Sequence, residues 1–167
     1  MIVDDAFDNL VAAIQVPEDF INGGIAGDTK LRRNVLSNLL IDAYIRLGDI
    51  TLFREDIMGA IESFRKAVEL CKEFSDGNER ILASTLFTIG CCFQQVSNNT
   101  EAQVSFSDSI EALRTALFLK LAANKQAVPE NPSTDSLLKP SIFDSEEIKD
   151  LRGILQDMVF KHQETVE

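Results

Sequence analysis

The sequence predicts an all-α fold of about six helices, the last of them a C-terminal capping helix, and three observations carry that prediction. Turn formers are scarce, with 8 Gly and 4 Pro among 167 residues, which favours long helices over the frequent turns of a β fold. Apolar residues recur at i, i+3, i+4 and i+7 in successive segments. A frame of Gly, Ala and Phe occurs twice at one fixed spacing. The composition, 45% hydrophobic and 26% charged, is that of an ordinary globular chain, and the length suits a single domain over residues 1–167 with a working core.

The elements follow in order. Phe7, Leu10, Val11 and Ile14 mark a lone amphipathic helix over residues 4–16, which opens on Asp4 and Asp5 and is expected to end before Pro17. Gly23, Gly24 and Gly27 make a loop, and Asp28 is placed to cap a second helix whose buried stripe is Leu36, Leu39, Leu40, Ala43, Tyr44 and Leu47. A third helix, from about Glu55 to Phe74, turns Ile57, Ala60, Ile61, Phe64, Ala67 and Val68 inward and closes at Asp76-Gly77. The fourth covers about Asn78 to Val96. Thr100 is expected to cap a fifth, which carries Ala102, Phe106, Ser109, Ile110, Leu113 and Leu117 as far as about Gln126. Pro129, Pro132 and Pro140 with Ser133 and Thr134 read as a linker over 128–143. Asp144 and Glu147 then have capping-box spacing before a helix over 144–164 that buries Ile148, Leu151, Leu155 and Met158.

Two of these segments share a frame. Leu47-Gly48, Ala60, Phe64 and Ala67 recur 42 residues later as Ile89-Gly90, Ala102, Phe106 and Ser109. The spacing is that of the tetratricopeptide helix pair, and it defines one unit over 28–76 and a second over 77–127, each longer than the usual repeat of about 34 residues. In this reading the Gly lets one helix cross close over the other, the small residue sits at the crossing, and the Phe fills the space between one repeat and the next. These residues are structural. Binding is expected on the opposite side of each first helix, at Asp42, Ile45, Asp49 and Phe53 in the first unit and Ser84, Phe87, Cys91 and Gln94 in the second, lining the concave groove of a helical solenoid.

Charge gives the groove a direction. The net charge is −11, and residues 1–28 hold six acids and no base. Residues 128–167 hold nine acids and four bases, while the middle of the chain is neutral. Such a balance argues against phosphate-directed binding of nucleic acid and suits a basic protein partner. The longest apolar run, Ala116 to Ala123, is short and contains Lys120, so no membrane-spanning segment is predicted, and no charged region with an apolar core opens the chain as in a secretory signal. Cys71, Cys91 and Cys92, odd in number and without CxxC spacing, read as reduced core thiols of a cell interior. The sequon Asn98-Asn99-Thr100 is set aside on the same ground.

At this point a resemblance becomes specific. Leu47-Gly48-Asp49 leading through Glu55 to Ala60-Ile61-Glu62-Ser63-Phe64, then Arg80-Ile81-Leu82-Ala83, Gly90, and Ala102 through Glu111 resemble the nuclear autoantigenic sperm protein family of histone chaperones, whose tetratricopeptide repeats are interrupted. Ala6-Phe7-Asp8-Asn9-Leu10 resembles the family's helix after its long acidic insertion, and Glu146 through Leu151 resembles its capping helix. The resemblance implies a nuclear chaperone for core histones, histone three and the histone three–four pair, held as a helical segment in the groove for delivery and chromatin assembly. It carries an acidic groove position onto Asp49 and an aromatic one onto Phe87. Phe53 and Ser84 stand where the family tends to place acids. The family's first repeat, the first helix of its second repeat and its long acidic tract have no counterpart, and Lys30-Leu31-Arg32-Arg33 is a weak substitute for a localisation cluster. A fragment or shortened relative is therefore expected, with an apolar face on the lone first helix that a partner or a second copy, as in a homodimer, covers.

Other readings compete. A clamp for acidic peptide termini needs Lys, Arg and Asn in the groove, and the candidate positions offer no cation. A general interaction scaffold or self-associating adaptor, indifferent to histones, stays open. Catalysis is not expected: the single His, His162, lies near the end of the last helix, and no Ser or Cys has a nearby base in sequence. Gly23-Gly24-Ile25-Ala26-Gly27 lacks the lysine and preceding strand of a phosphate site. Asp4, Asp5 and Asp8 lack a calcium-loop pattern, and Glu146-Glu147 suits the positive end of its own helix. No cofactor or metal is predicted.

Overall fold

The computed structural model of the chain describes residues 2–23, 30–74, 78–124, 132–139 and 145–166. These residues form seven helices and no strand: α1 (Ile2–Gly23), α2 (Lys30–Phe53), α3 (Ile57–Glu73), α4 (Glu79–Gln95), α5 (Asn99–Ala123), α6 (Thr134–Leu138) and α7 (Glu146–Val166). The chain is all-α, in two compact units, Met1–Asp76 and Gly77–Glu167.

In the first unit α2 packs against both α1 and α3. Ile14 of α1 meets Leu40 and Tyr44 of α2 and Ala67 of α3 in one apolar cluster, with Leu10, Ala43, Ile45, Leu47 and Leu70 at its edge. The expectation that the first helix stops before Pro17 is corrected, since α1 runs through it to Gly23. Proline removes the hydrogen bond to the carbonyl of Ala13, but Ala13 is exposed, so water can satisfy that oxygen. The buried stripe of α2 is also corrected. Leu39 is 58% exposed, and the inward line is Ser37, Leu40, Ile41, Tyr44 and Gly48. Leucines and isoleucines occupy nearly every side of this helix, so periodicity alone left its rotation open. The contact that sets it is steric. A Cβ on Gly48 would lie 2.5 Å from the Phe64 ring, which is 1% exposed.

The second unit repeats that contact, with Gly90 against the Phe106 ring at the same 2.5 Å. Each Phe thus fills the space over the Gly of its own helix pair. Ser109, where the first repeat has Ala67, donates to the carbonyl of Ala83 at 2.7 Å and so ties α5 to α4. The core joins Ala83, Leu113, Ala116, Leu117 and Leu121 to Leu137 of α6 and to Ile148, Leu151, Leu155 and Met158 of α7. All four residues expected on the inner face of the last helix are buried.

The segment expected to be a linker contains α6, with Leu137 in the core. Ser133 caps it by accepting from the amide of Ser136, and Arg114 donates to the carbonyl of Pro132 at 2.8 Å. Ser145 is the residue whose hydroxyl accepts from the amide of Ile148 at the start of α7. Asp28, Asp76, Gln126, Asp144 and the loop at Gly24–Gly27 lie outside the described residues.

The turns from α2 to α3 and from α4 to α5 are built alike, 42 residues apart. Glu55 and Ser97 sit in the left-handed region, at φ 63° and 58°. Glu55 N–H bonds to Leu52 O and Asp56 N–H to Thr51 O; Ser97 N–H bonds to Gln94 O and Asn98 N–H to Phe93 O. This is the Schellman pairing, which satisfies carbonyls a helix end would leave open. The residue after the left-handed one then caps the next helix: Asp56 accepts from Gly59 N, and Asn98 from Glu101 N. Asn98 therefore takes the capping role expected of Thr100. A left-handed non-glycine residue costs about 1–2 kcal/mol, while glycine loosens the unfolded chain by about 0.4–1 kcal/mol. Ser97→Gly is accordingly expected to raise stability by about 0.5 kcal/mol in urea denaturation, and a loss of stability would refute this account of the turn.

Candidate functional site

The eight candidate positions fall on two helix surfaces, one in each unit. On α2, Asp42, Asp49 and Phe53 are exposed, and Phe53 is 77% open to solvent. Ile45 is half-buried and belongs to the edge of the core. The spacing 42, 45, 49, 53 keeps these residues along one side of the helix. Asp42 accepts from the guanidinium of Arg46 at 2.7 Å, one turn on. That pair raises the pKa of Arg46, through the hydrogen bond first and then the charge of Asp42. Partial desolvation pushes the Asp49 carboxyl upward, and the charge of Arg46 offsets part of the shift. Arg46 is thus a cation on this surface that the candidate positions did not include. The Asp42, Arg46 spacing of four was the signal for it. Arg46 is bonded to Asp42 and acts on Asp49 through its charge alone. Val35 and Leu39, both exposed, extend the surface toward the start of α2.

On α4 the four positions meet a different environment. Ser84 is exposed and its hydroxyl donates to the carbonyl of Ile81. Phe87 is half-buried, with its ring 5.2 Å from that of Phe106 and inclined by 49°. It therefore backs the ring that rests on Gly90. Cys91 is half-buried; burial pushes its thiol pKa up, and the nearby ammonium of Lys161 acts in the opposite sense. Gln94 donates to the hydroxyl of Thr165 at 3.0 Å. Of the three cysteines expected as core thiols, Cys71 and Cys92 are fully buried, with burial raising Cys71 to about 11, whereas Cys91 is half-buried at the surface of α4.

These contacts orient α7. Arg80, near the start of α4, pairs with Asp150 near the start of α7 at 2.7 Å, while Gln94 and Thr165 join the two far ends. The two helices run parallel, and Lys120 to Glu147, at 2.8 Å, ties α7 to the antiparallel α5. A cap that packs as a further first helix brings Lys161 and Thr165 beside Cys91 and Gln94. No periodicity in α4 or α7 alone could have revealed this, because the partners are about seventy residues apart.

Among the described residues no group of three or more His, Cys, Asp or Glu is placed to hold a metal ion. No helix there is long and apolar enough to cross a membrane.

The chain is similar to nuclear autoantigenic sperm protein of Bos taurus, 27% identical over 85 residues, which are 51% of this chain and 11% of that protein. The Homo sapiens protein of the same name is 28% identical over 75 residues, 45% of this chain and 10% of its own length. That of Oryctolagus cuniculus is 26% identical over 85 residues, 51% of this chain and 12% of that protein. The matched region thus spans about half of this chain and about a tenth of the relatives. No family model matches the sequence.

Proposed function

We propose that this chain is a histone chaperone of the nuclear autoantigenic sperm protein type, working in the nucleus on core histones, histone three and the histone three–four pair. The observation that carries the reading is the similarity to three proteins of that name. The helix pairs built on Gly48 with Phe64 and Gly90 with Phe106 support a tetratricopeptide-type groove as the place of binding. In this reading Asp49 meets a basic side chain of the histone, and Phe53 and Ile45 pack on its apolar side. The acidic segments at 1–28 and 128–167 screen the rest of the cargo and suppress its nonspecific contact with DNA.

The test is a titration of the histone three–four pair, beside an equally basic non-histone protein, at about 0.3 M salt, where the screening length is several ångströms and loose surface attraction fades. Saturable binding of the histones alone is the expected result. Equal binding of both proteins, or of neither, rejects the chaperone function and leaves a general helical scaffold.

A further inference from the structure

The last turn of α7 is held differently from the rest of that helix. Ile148, Leu151, Leu155 and Met158 anchor it in the core, whereas no side chain described after Met158 is buried. Two glutamine amides converge at this end on Thr165. Gln94 of α4 donates to its hydroxyl at 3.0 Å, and Gln103 of α5 donates to its carbonyl at 2.8 Å. The hydroxyl in turn donates to the carbonyl of Lys161. Helix ends are where local opening is easiest, because few contacts are lost there. This end also lies on part of the surface assigned to cargo, since Gln94 is a candidate binding residue and Lys161 acts on the thiol of its neighbour Cys91.

We propose that the Lys161–Thr165 turn is an intramolecular strap over the Cys91–Gln94 end of α4, closed by Gln94 and Gln103 and displaced when a basic helical segment binds there. The competition rests on the function proposed above; the strap itself does not. A cargo side chain that needs the Gln94 amide must break its bond to Thr165, so closure and binding oppose each other by linkage. Loosening the strap from the α5 side leaves every candidate residue of α4 intact.

The full-length chain carrying Gln103→Ala and Thr165→Ala tests this, with Thr165→Ser, which keeps the hydroxyl, as the conservative control. The first readout needs no histone. N-ethylmaleimide should alkylate Cys91 about threefold faster or more in the double variant, the factor by which losing weak hydrogen bonds shifts an opening equilibrium. Opening relieves the burial that holds the thiol protonated and removes the smaller help from Lys161, so the thiolate fraction rises. Cys92, fully buried in the same unit, stays unreactive and reports that the fold around the strap is intact, as Cys71 does for the first unit. The second readout is affinity for the histone three–four pair, expected to tighten by about threefold as the competing contact is lost. Unchanged alkylation overturns the strap, and faster alkylation with unchanged affinity overturns the competition. A natural chain that binds no histone rejects the proposed function instead, and the two failures are distinguishable because alkylation requires no cargo.

Discussion

Gly90→Ala is expected to destabilise the second unit by about 2–3 kcal/mol, the upper range for forcing extra volume into a packed core. The new Cβ would stand 2.5 Å from the Phe106 ring, which has 0% exposure. That ring has little freedom to yield, since Phe87 packs against it at a centroid distance of 5.2 Å. Alanine is the better helix former by about 1 kcal/mol, so the clash must exceed that gain for any loss to appear. Gly153→Ala supplies the internal comparison. Nothing lies within 4 Å of its Cβ position, and the propensity gain alone should make that variant more stable. Urea denaturation of both variants checks the pair, and Phe106→Leu should recover part of the loss in Gly90→Ala by vacating the space the Cβ needs. A Gly90→Ala chain as stable as the original would refute the close crossing.

The second large effect concerns affinity. Asp49→Lys together with Phe53→Ala is expected to weaken binding of the histone three–four pair at least about tenfold, roughly 1.4 kcal/mol. Both side chains are exposed, so the fold should survive, which circular dichroism and a denaturation curve would confirm. Phe87 is a poorer choice for this test. Its ring supports Phe106, and its removal would mix lost packing with lost binding. Asp42→Asn should matter less, because Arg46 already neutralises that carboxylate. Full affinity in a folded Asp49→Lys, Phe53→Ala chain would reject the α2 surface and move suspicion to the acidic ends. Salt then separates the cases. Binding through the ends should fall steeply as ionic strength rises, while a packed contact is screened less.

The sequence by itself determined six of the seven described helices, their order and the repeated frame, while α6 was hidden in a segment that reads as linker. Periodicity of 3.6 is a local property, and so is the spacing from Gly48 to Ala60 to Phe64, which recurs at Gly90, Ala102 and Phe106. The inner face of α7 was legible for the same reason: four apolar residues at helical spacing stand among charged ones. The rotation of α2 was not legible, because apolar residues on most of its sides leave several equivalent stripes. Only the Phe64 ring, pressing where Gly48 has no side chain, selects one. A turn at Ser97-Asn98-Asn99-Thr100 was legible from its composition, but the left-handed residues Glu55 and Ser97 were not, because neither is the glycine such a position usually calls for.

The candidate surfaces divide in the same way. Asp49 and Phe53 follow from helical spacing along one element, and their exposure needs nothing more. What Phe87, Cys91 and Gln94 can offer was decided only by the tertiary structure, through Phe106 behind one, Lys161 beside another and Thr165 bonded to the third. Sequence spacing reports which residues share a helix face. It cannot report which distant helix end will lie on that face, because that depends on how separated segments bury their apolar sides together.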